Sequence, residues 1–335
     1  MARYVIVGGG IAGTQAAETV RRLCPDDSIT LVAEEERPFY MRPLLADFVA
    51  GRLEEKTLWR DFASVASASG MRLILGQQVV GIGYRPERTV SLGSGEKLTY
   101  DRLLIATGAE PSLPAIPGIE LSGVTTFSTY SDAVRVKGWV EKTKAAVVVG
   151  LGLQALELTR ALRLRGLTVT LVAPDDTPWF LPLFQTDQQS IEHVLEEHGV
   201  KVVALDRPVE LIGDGGRVRL VKTREGKELP AEIVGFAGGQ QPRLELLKGS
   251  DIGVDDGVLA DEQLRTTDEE VFAAGDVAQI QPKGSRRALG YGWMRASAQG
   301  EVAGRNMCGE RATVTVGDEF QAQSLYGLSL AARWR

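Results

Sequence analysis

The sequence predicts an α/β protein that builds one three-layer unit twice. Three observations carry this. An apolar run, a glycine loop, a helical stretch and a second apolar run occur from residue 3 and again from residue 145. Each is followed by the same succession of short alternating strands, from Gly70 in the first copy and from Gly199 in the second. The length of 335 residues suits two domains of ordinary size.

Composition sets the class. A chain with 44% hydrophobic residues, 24% charged residues and 38 glycines is a soluble globular protein with many tight turns or close backbone approaches. A net charge of -6 supplies no overall attraction for nucleic acid. No apolar run is long enough to span a bilayer, and "MARYVIVGGG" enters a strand without a signal-peptide layout, so a cytoplasmic location is expected. Cys24 and Cys308 form no CxxC pair, and with only His193 and His198 no zinc-type constellation is available, so no metal site is expected. Both cysteines read as structural.

In the first copy the strand "YVIVG" feeds Gly8, Gly10 and Gly13, spaced GxGxxG, into the helix "AGTQAAETVRRL". The glycines permit a tight turn, a close backbone approach and close helix packing, so that a pyrophosphate can sit on the helix N-terminus. Glu34 closes the next strand 21 residues beyond Gly13, placed to accept hydrogen bonds from a ribose. This is a dinucleotide-binding fingerprint in its full strand-turn-helix setting, and it makes the unit Rossmann-like. Next comes "PFYMRPLLADF", residues 38–48, in which Pro43 suits an early helical position. The proline- and glycine-rich "GAEPSLPAIPGIE" then marks a domain boundary near Pro111.

The second copy carries Gly150, Gly152 and Ala155, the GxGxxA variant, with Glu157 on its helix. Ala173 stands where an acid is expected, and Asp175 and Asp176 come slightly late. A second nucleotide site is expected here, with NADH and NADPH both open. After this copy, "VFAAGDVAQI" and "GWMRASAQGEVAGRNMCGE" have no repeat counterpart, so the tail must complete something begun earlier.

The order "VIVGGGIAG", Glu34, "LLIATGAEP", a second glycine fingerprint and "TTDEEVFAAGDVA" resembles the FAD-dependent pyridine-nucleotide oxidoreductases of the two-dinucleotide-domain type. Within them, "YMRPLLADFVAG" and "QGEVAGRNMCG" are most similar to the NADH:rubredoxin and ferredoxin reductase branch, including the flavin module of nitrite reductase large subunits. The resemblance implies a discontinuous FAD domain, residues 1–111 and 238–314, around an inserted NAD(P) domain, residues 112–237. Residues 315–335 would open a C-terminal interface domain that is otherwise absent or truncated.

The resemblance implies that Gly8, Gly10, Ile11, Ala12, Gly13, Glu34 and Glu35 hold the ADP half of FAD, with Arg42 and Pro43 along the cofactor and the backbone near Val79 at the adenine. Ala106, Thr107 and Gly108 would lie beneath it, Gly275 and Asp276 at the ribityl chain, and the helix from Trp293 at the flavin. Gly150, Gly152, Leu153, Gln154, Glu157, Asp175 and Gly239 would serve NADH or NADPH, with Glu157 near the nicotinamide. No side chain is assigned as catalytic; Glu157 and Asp47 are the candidates, near the nicotinamide and the flavin.

Three departures matter. Residues 38–48 contain no cysteine, which argues against thiol chemistry at the flavin. Ala46 and Asp47 replace the serine and lysine of several ferredoxin-reductase-like relatives, and a buried, ionised Asp47 would oppose a reduced flavin anion. The basic "PKGSRR", with Lys283, Arg286 and Arg287, could steer an acidic carrier. The expected function is hydride transfer from NAD(P)H to FAD, then electron transfer to a rubredoxin- or ferredoxin-type carrier or a metal-centre subunit, in a possible homo- or hetero-oligomer. The alternatives are a flavoprotein subunit with a degenerate NAD(P) site, or an NADH oxidase.

Overall fold

The computed structural model describes residues 1–83, 87–150, 152–174, 188–281, 288–314, 320–326 and 328–333. The chain divides into two compact units: residues 1–40, 59–110 and 241–317 form the first, and residues 41–58, 111–240 and 318–335 the second.

The first unit is centred on a parallel five-stranded sheet, ordered Val271–Ala273, Arg102–Ile105, Arg3–Val7, Ser28–Val32, Arg72–Ile74. Its central strand reads as a near-continuous apolar run because a parallel strand is covered on both faces, and Ile6 is fully buried. Val271–Ala273 comes from "VFAAGD". The tail therefore supplies an edge strand of the first sheet, which is the discontinuity that the sequence implied.

The second unit repeats this plan. Its parallel sheet runs Val200–Val203, Thr168–Val172, Ala145–Val149, Ile233–Phe236, Val124–Thr125. The short Val124–Thr125 occupies the edge that Val271–Ala273 fills in the first sheet, so that edge position does have a spatial counterpart, taken from the other side of the repeat.

Each unit also carries an antiparallel three-stranded meander: Val79–Gly83, Thr89–Leu92 and Lys97–Thr99 in one, Pro208–Asp214, Arg217–Thr223 and Glu228–Pro230 in the other. Both first strands slip register near their start, between Val79 and Gly81 and between Pro208 and Glu210. A shared bulge at matching places extends the repeat beyond residue type to backbone irregularity.

Residues 41–58, which include Arg42 and Pro43, pack within the second unit. The 3-10 turn Arg42–Leu44, with Pro43 early in it, leads into the helix Leu45–Val49. Phe48 stacks on Tyr130, with ring centroids 6.3 Å apart, and Lys137 lies over the Phe48 ring. Phe320–Leu325 and Leu328–Arg333 pair as an antiparallel hairpin. Among the described residues, no helix is long and apolar enough to cross a membrane.

Candidate functional site

The two glycine turns are built alike, atom by atom. Gly8 donates its N–H to Val32 O at 2.8 Å, and Gly150 donates to Val172 O at 3.1 Å. Both have positive φ, +123° and +145°. A Cβ on Gly8 would meet Ala106 O at 2.0 Å, and one on Gly150 would meet Ala237 O at 2.3 Å. Each first glycine is thus required by the carbonyl that follows the neighbouring strand. At the third position the copies differ: a Cβ on Gly13 would lie 2.0 Å from Gly8 O, whereas Ala155 accommodates its methyl in the second turn.

The middle glycines are different in kind. Nothing lies within 4 Å of a Cβ built on Gly10 or Gly152, although each is the N-cap of a helix, Ile11–Leu23 and Leu153–Leu164. Neither helix has a side-chain cap or an acid in its first turn. A third helix, Trp293–Met307, starts the same way from Gly292. Two other helices do carry side-chain caps: Thr129 and Asp132 form a capping box, and Asp61 accepts from Ser64 N–H. The helices that start from Gly10 and Gly152 therefore have uncapped first turns with open space beside their N-cap glycines, which is what a phosphate or another anionic group needs. The residues present fit a dinucleotide at each glycine turn.

Around the first turn, Ile11 and Ala12 open the helix, and a Cβ on Gly275 would lie 3.1 Å from the Ala12 methyl. The Gly275 N–H is held by Gln299 Oε1 at 2.7 Å, and Gln299 is buried. Asp276 Oδ1 accepts the Gly292 N–H at 3.1 Å, which ties "GDVA" to the start of the helix from Trp293. Trp293 packs on Phe39, with ring centroids 5.7 Å apart. Ala106 donates its N–H to Val7 O at 2.8 Å. Glu35 accepts from Tyr40 OH at 2.9 Å, and buried Val79 opens the bulged strand of the meander.

Arg243 is the residue that the sequence reading missed. Its guanidinium pairs with Glu34 and lies 3.6 Å from Glu110, its N–H donates to Gly108 O at 3.1 Å, and its carbonyl accepts from the Thr107 hydroxyl at 3.2 Å. Arg243 therefore fastens the crossover 106–108 to the acid expected at the ribose. A partner 209 residues away leaves no local signal. Because both side chains are partly exposed, the pair is worth about 1 kcal/mol. Arg243→Ala is expected to weaken FAD binding about fivefold in a fluorescence titration, and an unchanged affinity would remove Arg243 from the site.

In the second unit, Gln154 Nε2 donates to Phe127 O at 2.6 Å, and its Oε1 faces Gln240 Nε2 at 3.4 Å. Leu153 begins the helix, Glu157 lies half-buried on it, and Gly239, with φ +66°, accepts from Ser112 N–H. Asp47 accepts from Arg160 at 2.8 Å and Arg42 donates to Ser128 O at 2.7 Å, both within this unit. Asp175, Asp176, Lys283, Arg286 and Arg287 lie outside the described residues.

Hydrogen bonding also resets the comparison of the two strand ends. Ala33 donates to Ile74 O and Ala173 donates to Val203 O, so these two alanines match, and Pro174 is the counterpart of Glu34. Helix and loop lengths differ between copies, which displaced the count made along the sequence.

The profile of the pyridine nucleotide-disulphide oxidoreductases matches residues 2–300. The chain belongs to this family. Members of the pyridine nucleotide-disulphide oxidoreductase family are FAD-containing NADH or NADPH oxidoreductases. Rhodocoxin reductase of Rhodococcus erythropolis is 33% identical over 276 residues, 82% of this chain and 64% of its own. The ferredoxin–NAD(+) reductase component of the biphenyl dioxygenase system of Paraburkholderia xenovorans (strain LB400) is 32% identical over 304 residues, 90% of this chain and 74% of its own. Among solved structures, the NAD-dependent persulfide reductase from A. fulgidus is 30% identical with a TM-score of 0.92, over 99% of this chain and 63% of its own. The chain thus spans roughly two thirds to three quarters of these relatives.

Proposed function

We propose that the chain is an NAD(P)H-dependent flavin oxidoreductase that serves a small redox carrier protein or a partner metal-centre subunit. The observation that carries this reading is the pair of matching glycine cradles, one in each unit, in a chain of this family. Gly8, Gly10 and Gly13 would hold FAD, with Glu34, oriented by Arg243, accepting from the ribose. Gly150, Gly152 and Gln154 would hold NADH or NADPH. When bound, the cofactors supply hydride transfer from nicotinamide to flavin and release of the electrons one at a time.

The protein's part is orientation and electrostatics. The N-terminus of the helix from Trp293 would present a positive dipole end to its ligand, which favours negative charge there. Asp276 fixes where that helix begins by accepting the Gly292 N–H. Asp47 is matched by the Arg160 guanidinium, so its negative charge is locally compensated. Pro174, standing where Glu34 stands in the first copy, presents no carboxylate to a second ribose, so both nicotinamide nucleotides must be tested.

That same proline favours one other reading, a flavoprotein subunit whose second cradle no longer takes a nucleotide. Stopped-flow mixing of the FAD-loaded protein with NADH and, separately, NADPH decides between them. Bleaching of the flavin absorbance by at least one nucleotide at millimolar concentration is the expected result. No bleaching by either would leave only the subunit reading. Sustained turnover with oxygen alone, faster than with any added ferredoxin or rubredoxin, would instead make it an oxidase.

A further inference from the structure

The first unit's two long helices run along each other on small residues. A Cβ on Gly300 would lie 2.3 Å from Ala12 O, and one on Gly304 would lie 2.9 Å from Ala16 O and 2.8 Å from Thr19 Cβ. Ala12 and Ala16 are one turn apart on Ile11–Leu23, as are Gly300 and Gly304 on Trp293–Met307, so successive turns stay in step and the helices are parallel. One further turn carries Gly304 to Cys308 and carries Ala16 and Thr19 to Val20 and Leu23, so Cys308 comes beside the residue that precedes Cys24. These cysteines are the C-caps of the two helices.

The contacts at that end agree with the register. Tyr4 OH donates to Cys24 Sγ at 3.5 Å, and Cys308 lies near enough to Cys24 and Tyr4 for both to act on the acidity of its thiol. Glycine at the preceding rung lets the backbones approach more closely than larger side chains allow, and a disulfide needs such closeness, with Cα atoms about 4.4–6.8 Å apart. Both cysteines are free and partly exposed. They are the chain's two cysteines, separated by most of its length.

We propose that Cys24 and Cys308 are a disulfide-forming pair, a site of reversible oxidation by low-molecular-weight disulfides that joins the first and last helices of the first unit. In the first step the Cys24 thiolate attacks one sulfur of the external disulfide. A mixed disulfide forms at Cys24 and one external thiolate leaves. The Cys308 thiolate then attacks Cys24 Sγ, the internal bond forms, and the second external thiolate leaves. Two protein thiols are oxidised, one external disulfide is reduced to two thiols, and the two thiol protons pass to these thiolates or to solvent. Burial, followed by the hydrogen bond and charge of Cys24, pushes the Cys308 thiol up to about 12, so its thiolate is scarce at neutral pH and closure accelerates as pH rises.

The test uses the FAD-loaded protein and oxidised glutathione, followed by alkylation in denaturant and intact mass analysis. The expected product is a monomer lighter by two hydrogens with neither of its two thiols alkylated. Closure should speed up about tenfold per unit between about pH 7 and about pH 9. Cys24→Ser and Cys308→Ser should each stop at one glutathione adduct or one free thiol. Wild-type protein that accumulates glutathione adducts without closing, forms disulfide-linked dimers, or keeps both thiols while an exposed model thiol is consumed would overturn the proposal.

Discussion

Gly8→Ala is expected to yield protein without bound flavin and with a clearly lowered melting temperature. Two effects add. At φ +123° the backbone occupies a region that residues with a Cβ strongly avoid, and the new methyl would lie 2.0 Å from the Ala106 carbonyl oxygen. Together strain and overpacking amount to about 2–6 kcal/mol. The strand end cannot retreat easily, because Ala106 N–H is bonded to Val7 O in the sheet core. Gly10→Ala is the informative companion. Its φ is -77° and no atom lies within 4 Å of the added methyl, so the melting temperature of the cofactor-free protein should hardly change, while the methyl projects into the space that a pyrophosphate needs. Loss of FAD with stability retained in Gly10→Ala, against loss of both in Gly8→Ala, would separate the cradle from the scaffold. Wild-type FAD content in Gly10→Ala would place the cofactor elsewhere.

The second large effect is expected at Asp206. This carboxylate is fully buried and accepts from Arg207 N–H at 2.8 Å, Glu225 N–H at 3.2 Å and Lys227 Nζ at 3.0 Å. It therefore holds together two turns of the second unit. Removing it strands two backbone donors and a lysine, at a cost of about 3 kcal/mol, the lower end for a buried pair because Lys227 still reaches water. Burial by itself would raise the Asp206 pKa, but the hydrogen bonds from Thr223, Lys227, Glu225 and Arg207 outweigh it and hold the group at about 2. With an unfolded reference near 3.9, the contribution is fully present above about pH 4 and fades as pH falls toward about 2. Urea unfolding of wild type and Asp206→Ala should differ by the full amount near neutral pH and converge in acid. A gap that persists unchanged at low pH would show that the loss is of packing rather than of charge.

The parts of this molecule that were legible in advance were those set by local chemistry. Glycines that must meet a carbonyl, apolar strands buried on both faces and a proline-rich connection all leave marks within a few residues. The return of "VFAAGD" to the first sheet followed from an unpaired remainder combined with a family resemblance. What escaped notice was set by contacts between distant residues. The pairing of Arg243 with Glu34 and the meeting of Cys24 with Cys308 have no signature in spacing or composition. The resemblance set Arg42 and Pro43 along the first cofactor, and nothing local foretold that from Met41 onward the ring and ion-pair partners of this segment, Tyr130 and Arg160, lie in the second unit. Pro174 was passed over because counting from the glycines cannot register a change in loop length, whereas a strand hydrogen bond can.

The attachment of residues 41–58 to the second unit has a practical meaning for modular exchange. A chimera made by replacing residues 112–237 with the nucleotide domain of another family member would keep Asp47 and Phe48 but discard Arg160 and Tyr130. The short helix would face a surface with which it had not been matched. The heritable block is therefore not the contiguous insert but the insert together with an eighteen-residue outrider encoded ahead of it, and any graft that respects the fold must transplant both.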